Sequence, residues 1–269
     1  MKVAAVQLNS QDDVASNLAR AMHWIAQAAG AGAQLVALPE NFAFMGDEAV
    51  KREVAEPIDG ASPGPILAAL IAAATANGVW ILGGGMPEKS PDAARPFNTS
   101  VVVDSAGRVA AAYRKVHLFD VTLPDGTSAR ESAATSAGST AITVDVLGMR
   151  VGLSICYDVR FPELYRRLVD QGARLVTVPA AFTLTTGKDH WHALLRARAI
   201  ENQVYVLAPA QHGKHPRGRQ TYGKSLVVDP WGEVIAQCSE GEGFSVAELD
   251  LAYQDRVRAA LPSLSHRKW

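Results

Sequence analysis

A thiol, a carboxylate and an amine each stand at the end of an apolar run in this 269-residue chain. Cys156 closes Val151-Gly-Leu-Ser-Ile155, Glu40 follows Gln34-Leu-Val-Ala-Leu38-Pro39, and Lys115 ends Val109-Ala-Ala-Ala-Tyr-Arg114. Hydrolysing an amide needs a nucleophile, a base that activates it and then a water, and donors for the oxyanion, and these are the residue types that fill those roles. Each has an ordinary explanation when taken alone. A cysteine after a strand is more often a small core residue, a lone glutamate a solvated loop carboxylate, and a lone lysine a charge at a strand end. Cys156 also precedes a helix-like segment, Phe161 to Val169, and a thiol at the mouth of a sheet near a helix N-terminus is expected to be drawn towards the thiolate.

Histidine-based chemistry is a weaker reading. His117 follows the lysine closely, but its place at an apolar strand end favours a structural hydrogen bond over a Cys–His base. The pairs His190/His192 and His212/His215 lack a third ligand and cysteine partners, so they do not spell a zinc site. Gly83-Gly-Gly85 has no following Lys-Ser/Thr, so it reads as a tight strand exit and not as a phosphate loop.

The elements that must position these groups can be read from periodicity. After a first strand, Lys2 to Leu8, Asp12-Asp13 can cap a helix with apolar Val14, Leu18, Met22 and Ile25, ended by Gly30 and Gly32, before the buried strand Gln34 to Leu38. The same pattern returns as Val151 to Ile155, a helix over about Pro162 to Gln171 stopped by Gly172, and a strand Arg174 to Val178. Between these halves lie a helix from Pro63 to Asn77, a strand Val79 to Leu82, and a hairpin of Ser100–Val103 with Val109–Lys115 that ends on the lysine. Ala43 to Asp59 reads as a loop or short helix beside Glu40, where it could shape a site. Later, His190 to Glu201 reads as a helix, Val204 to Leu207 as a strand, Ser225–Val228 with Glu233–Gln237 as a hairpin about Asp229-Pro-Trp-Gly232, and Leu251 to Leu261 as a closing helix. Strands and helices that alternate without a linker predict one α/β domain over residues 1–269.

With 48% hydrophobic and 20% charged residues the composition is that of an ordinary globular protein. The formal net charge of −1 and the absence of a Lys/Arg stripe argue against nucleic acid as a partner. No apolar run approaches membrane-spanning length, so no membrane partner is expected. The first residues read as a strand and not as a signal segment, and the only two cysteines, Cys156 and Cys238, lie far apart. Both features predict a reducing, cytoplasmic location.

Taken together, Leu38-Pro-Glu-Asn41, Tyr113-Arg-Lys-Val-His-Leu-Phe-Asp120 and Cys156-Tyr-Asp-Val-Arg-Phe-Pro-Glu-Leu164 resemble the carbon-nitrogen hydrolase (nitrilase) superfamily, and in particular its Nit-type amidases. Thr186-Gly187 with His190-Trp191, Arg196 to Asn202, and Val228-Asp-Pro-Trp-Gly232 extend the resemblance over essentially the whole chain. It implies a four-layer α-β-β-α sandwich with mixed sheets. By the same resemblance Cys156 is the nucleophile, Glu40 the general base and Lys115 the oxyanion-stabilising cation. Glu131 would be a further glutamate lining the pocket, and the Tyr157 backbone N–H a second oxyanion donor. Arg160, Phe182, Thr186 and His190 are the expected substrate-binding residues. No metal and no cofactor is implied, and relatives assemble as homodimers or larger homo-oligomers.

Within the superfamily, Ala208 to Ser225, Leu226 to Gly232 and Cys238-Ser-Glu-Gly241 are more similar to the deaminated glutathione amidases than to the ω-amidases. Lys188-Asp189 departs from the expected Pro-Ala, and Ala180 to Gly187 is partly shared with ω-amidases. The implied reaction cuts the amide of deaminated glutathione to 2-oxoglutarate and cysteinylglycine, a metabolite repair, through a thioester. Lys214, Arg217 and Arg219 in one loop would suit the carboxylates of such an anionic amide, and a solvated basic loop accounts for them equally well. The alternatives are an ω-amidase acting on α-ketoglutaramate or another small linear amide and, from a different class, an inactive scaffold or binding module.

Overall fold

The computed structural model describes residues 1–58, 62–122, 126 and 128–268. Its first half runs β1 (Lys2–Leu8), α1 (Val14–Gly30), β2 (Leu35–Ala37), α2 (Glu48–Lys51), α3 (Pro65–Asn77), β3 (Trp80–Glu88), β4 (Phe97–Val103) and β5 (Val109–Arg114). A short ribbon, β6 (Asp120–Thr122) with β7 (Ser128–Arg130), leads to the second half: β8 (Thr143–Val146), β9 (Met149–Leu153), α4 (Pro162–Asp170), β10 (Leu175–Thr177), α5 (Leu184–Asn202) and β11 (Tyr205–Ala208). The chain closes with β12 (Ala210–Lys214), β13 (Gln220–Tyr222), β14 (Leu226–Val228), β15 (Val234–Gln237), β16 (Gly243–Glu248) and α6 (Leu251–Ala260).

Two mixed sheets result. The first has the order β13-β12-β1-β2-β3-β4-β5, with β16 also paired to β1, and the second the order β15-β14-β11-β10-β9-β8. In each half three strands run parallel, β1-β2-β3 and β9-β10-β11, because a helix covers each crossover. Successive residues of β1 divide between two cores: Val3 and Ala5 join one cluster, Ala4, Val6 and Leu8 the other. This is why the strand is a continuous apolar run, as expected for a strand buried on both faces. Ala4, Val36 and Ile81 meet Ile25 of α1 and Leu67 and Leu70 of α3. Val3, Leu35 and Leu82 share the other cluster with Val151, Leu175 and Leu207, which also takes in Leu168 of α4 and Trp191 and Leu195 of α5. The layers are therefore helix, sheet, sheet, helix, and the α-β-β-α expectation holds.

Local chemistry sets the boundaries. Asp13 caps α1, its carboxylate accepting from Ser16 N–H at 2.6 Å, and Glu56 accepts from Ile66 and Leu67 N–H at 2.6 and 2.9 Å at the start of α3. The segment following Glu40 is buried through Met45, carries exposed residues from Ala49 to Glu53 and contains α2; its expected end, Asp59, lies outside the described residues.

Strand β4 begins at Phe97 and not at the expected Ser100, helix α3 at Pro65 and not Pro63, and two further boundaries differ more. Gly83-Gly-Gly85 is not a strand exit: β3 continues through it to Glu88, with a register shift against β4 between Gly84 and Met86. A Cβ on Gly84 would lie 2.0 Å from Leu38 O and 2.3 Å from Pro179 Cβ, so the missing side chain lets both halves close over this strand. Helix α5 starts six residues before His190, because packing overrides the weak helix propensity of Leu184-Thr-Thr-Gly187. Gly187 is needed there, since a Cβ would sit 2.3 Å from Tyr222 Cβ.

Candidate active site

Glu40 leaves β2 on a loop pinned to the glycine run, with Leu38 N–H donating to Leu82 O and Asn41 N–H to Gly85 O, each at 2.9 Å. Its carboxylate is buried and fully engaged. Oε1 accepts from Lys115 Nζ and Asn98 Nδ2, both at 2.9 Å, and Oε2 accepts from Ala181 N–H of the second half at 3.0 Å.

Lys115 follows β5, its N–H donating to Asn98 O and its carbonyl accepting from Gly138 N–H, both at 2.8 Å. The Nζ donates to Glu40 and, at 3.0 and 2.8 Å, to both oxygens of Glu131. Glu131 Oε2 also accepts from Phe119 N–H at 2.7 Å. Burial disfavours the charged lysine, but Glu131 and Glu40 together hold its pKa well above the ordinary value, so it is an ammonium. Burial likewise disfavours the Glu131 anion, and the Lys115 charge, with Lys51 behind it, outweighs burial and keeps the carboxyl below its ordinary value.

Cys156 opens a 3-10 turn, Cys156–Arg160, with φ at 46°, the left-handed region that a side chain rarely adopts. Its N–H donates to Pro179 O at 2.9 Å. The turn is braced from within by buried Asp158. Oδ2 accepts from Ile155 N–H at 2.8 Å and from Tyr113 Oη at 2.7 Å, and Oδ1 from His117 N–H at 3.1 Å with the His117 ring Nδ1 at 2.7 Å. Arg198 of α5 adds a bond from Nε to Val159 O at 2.9 Å. The strand end that carries Lys115 and the turn that carries Cys156 are thus tied through one carboxylate, with His117 in a hydrogen-bonding role and stacked on Phe161.

The thiolate expectation is corrected. Burial, and then the neighbouring Glu40 carboxylate, push the Cys156 thiol well above its ordinary pKa, and the Lys115 ammonium offsets only part of this. The resting group is S–H beside a carboxylate that can take its proton. Ultraviolet titration should therefore find no thiolate absorbance assignable to Cys156 at pH 7, comparing wild type with Cys156→Ala. A thiolate already present at neutral pH would contradict the burial argument.

Glu40, Lys115, Glu131 and Cys156 line one cavity of about 710 Å³, together with Tyr157, Arg160, Phe182 and Thr186. The Arg160 guanidinium lies over the Phe182 ring at 5.2 Å, and its Nη1 is 3.3 Å from His190 Nδ1. His190 itself is exposed and lies outside the lining. The other histidines are dispersed. His192 pairs with Gln237, His212 with Gly241 N–H, and His215 with Ser10 and Thr221, and among the described residues no group of His, Cys, Asp or Glu converges as a metal site. The stretch from Lys214 to Arg219 is the tip of the β12–β13 hairpin and not a free loop.

Sequence reasoning missed four participants. Asn98 orients Glu40, Ala181 N–H crosses from the other half, and Lys51 and Glu48 of α2 form part of the wall. An isolated Asn at a strand start and a backbone N–H carry no sequence signal. Lys51 and Glu48 sat in the segment already expected to shape the site.

A family model described as carbon-nitrogen hydrolase matches residues 2–259. The chain is 47% identical over 268 residues to a deaminated glutathione amidase of Synechocystis, covering 98% of this chain and 97% of that protein. Among solved structures, the Caenorhabditis elegans NitFhit protein superposes with a TM-score of 0.92 at 43% identity, the match covering 99% of this chain and 65% of that one. Saccharomyces cerevisiae Nit3, a member of branch 10 of the nitrilase superfamily, superposes with a TM-score of 0.90 at 35% identity, covering 100% of this chain and 97% of that one. Among the described residues no helix is long and apolar enough to cross a membrane.

Proposed function

Because the chain belongs to the carbon-nitrogen hydrolase family, and is a hydrolase of amide carbon–nitrogen bonds, we propose that it cleaves deaminated glutathione to 2-oxoglutarate and cysteinylglycine, with Cys156, Glu40 and Lys115 as the reacting trio. One observation carries the mechanism: a buried ammonium bound by two carboxylates lies on the same cavity that the thiol lines. The choice of substrate rests on the relatives of that name. A cavity of about 710 Å³, within the range usual for small-molecule sites, also leaves room for a tripeptide-sized anion.

In this reading Glu40 takes the Cys156 proton as Sγ bonds to the amide carbon. The carbonyl electrons move onto oxygen, where the Lys115 ammonium and the Tyr157 N–H stabilise them. Collapse of the tetrahedral species breaks the carbon–nitrogen bond, and the departing amine takes the proton back from Glu40. The 2-oxoglutaryl group is left as a thioester on Cys156. Glu40 then removes a proton from water as its oxygen attacks that carbonyl, and expulsion of sulfur with return of the proton restores the thiol and frees 2-oxoglutarate.

The test is release of 2-oxoglutarate from deaminated glutathione and from α-ketoglutaramate, by wild type and by Cys156→Ala. Turnover of deaminated glutathione that exceeds that of α-ketoglutaramate and vanishes in Cys156→Ala is the expected result. Preference for α-ketoglutaramate would make the enzyme an ω-amidase, and loss of neither activity in the variant would remove the thiol from the mechanism.

A further inference from the structure

Part of the cavity wall is built by two segments far apart in sequence, α2 with the turn before it and the tip of the β12–β13 hairpin. Arg217 Nη1 lies 2.8 Å from Asp47 Oδ2, Arg219 Nη2 3.3 Å from Glu48 Oε1, and Lys51 Nζ 3.6 Å from Glu48 Oε2. Three cations thus share two carboxylates in this cluster. Glu48, Lys51, Arg217 and Arg219 all line the cavity. Lys51 is almost wholly buried and its charge reaches Glu131, so it faces the reaction centre. The side chains of Arg217 and Arg219 are 61% and 39% exposed, so they stand at the solvent side of the same wall.

The hairpin tip is held in a defined shape. Buried His215 donates from Nδ1 to Ser10 O at 2.8 Å and accepts at Nε2 from Thr221 Oγ1 at 2.7 Å, and its N–H donates to Arg219 O at 2.9 Å. Arg217 has φ at 64°, a left-handed conformation that an arginine keeps only where its surroundings impose it. A merely solvated basic loop would leave its guanidinium groups in water on a relaxed backbone. Here two of them are turned onto the cavity wall and bridge it to α2.

Arg217 and Arg219 each meet a wall carboxylate and stay partly open to solvent, and guanidinium groups suit a further carboxylate by their paired N–H donors. The order of the reaction says which carboxylate that is. The acyl half stays on Cys156 after the first step, whereas the leaving half must depart through the mouth before water attacks, so groups on the solvent side meet the leaving half. We propose that Arg217 and Arg219, held against α2 by Asp47 and Glu48, bind the C-terminal carboxylate of a peptide-like leaving group. The cluster thereby selects amides whose amine half carries an acid over simple primary amides. This inference rests on the acyl-transfer reading given above.

Calorimetric titration of the Cys156→Ala protein with deaminated glutathione and with its C-terminal carboxamide tests it. The acid should bind about tenfold or more tightly than the carboxamide, and that ratio should fall below about threefold when Arg219→Gln or Arg217→Gln is added. Arg219→Lys should restore part of the ratio, which a merely structural role would not do. Equal binding of acid and carboxamide to Cys156→Ala overturns the proposal, as does a preference that survives both added substitutions. Wild-type turnover measured alongside separates the two readings. A charge-dependent preference without turnover would reject deaminated glutathione as the substrate and keep the carboxylate site; turnover without preference would do the reverse.

Discussion

Glu40→Gln is expected to lower kcat/KM by about 10² to 10⁴-fold while the protein keeps its fold, because a glutamine can fill the same hydrogen-bonded socket but cannot take a proton. An amide oxygen can still accept from Lys115 Nζ and Asn98 Nδ2, the two donors to Oε1. The amide nitrogen would then face Ala181 N–H, a clash of donors that costs stability modestly compared with its effect on rate. The carboxylate is also one of the two main influences that raise the Cys156 thiol, so in the variant that thiol should titrate closer to its ordinary value. Higher thiol acidity combined with lower turnover distinguishes a lost base from a damaged nucleophile. Steady-state kinetics with a parallel ultraviolet titration measure both. A rate within tenfold of wild type would deny Glu40 the role of base.

Lys115→Met should cost both rate and stability. Removal of an oxyanion-stabilising group lowers kcat by about 10² to 10³-fold. Breaking a buried ion cluster by deleting its cation leaves Glu40 and Glu131 as unpaired buried carboxylates, a loss of about 3–5 kcal/mol in comparable cases. The pH dependence carries the sign. In the wild type the Glu131 pKa is depressed on folding, so its contribution is present above the ordinary value of 4.5 and is lost as pH falls through the lower folded value. The Lys115 pKa is raised, so its contribution is complete below the ordinary value of 10.5 and is lost as pH rises through the higher folded value. Without the cation, burial favours protonated carboxyls, so the variant should gain stability on mild acidification where the wild type does not. Urea denaturation of both proteins between pH 5 and pH 8 would show it, and parallel pH profiles would mean that the cluster contributes little.

The strained Cys156 and the glycine run under Glu40 show how sequence and fold share the work. That a cysteine follows closely on β9 could be read from Val151-Gly-Leu-Ser-Ile155, since a strand buried on both faces is a continuous apolar run. That its φ is 46° could not be read, because the turn is imposed by Asp158, whose partners Tyr113 and His117 lie about forty residues upstream. Gly83-Gly-Gly85 was ambiguous in the same way. Glycine signals either an exit or a close approach, and only packing distant in the chain, Leu38 O from one side and Pro179 from the other, decides for the approach. Local pattern likewise put the start of the long helix at His190, while its true beginning at Leu184 depends on Tyr222, which comes from another strand.

By itself the sequence determined the alternation of strands and helices and the reacting residue types, while the layers came only from the family resemblance. Periodicity and caps act between near neighbours, and they suffice to place Glu40, Lys115 and Cys156 just beyond the ends of strands. Tertiary structure alone decided the charge state of the thiol, the bonds from Asn98 and Ala181 to Glu40, and the meeting of α2 with the β12–β13 hairpin around one cavity. Electrostatics depends on distance through space and on exclusion of water, and neither is set until segments far apart in the chain pack together.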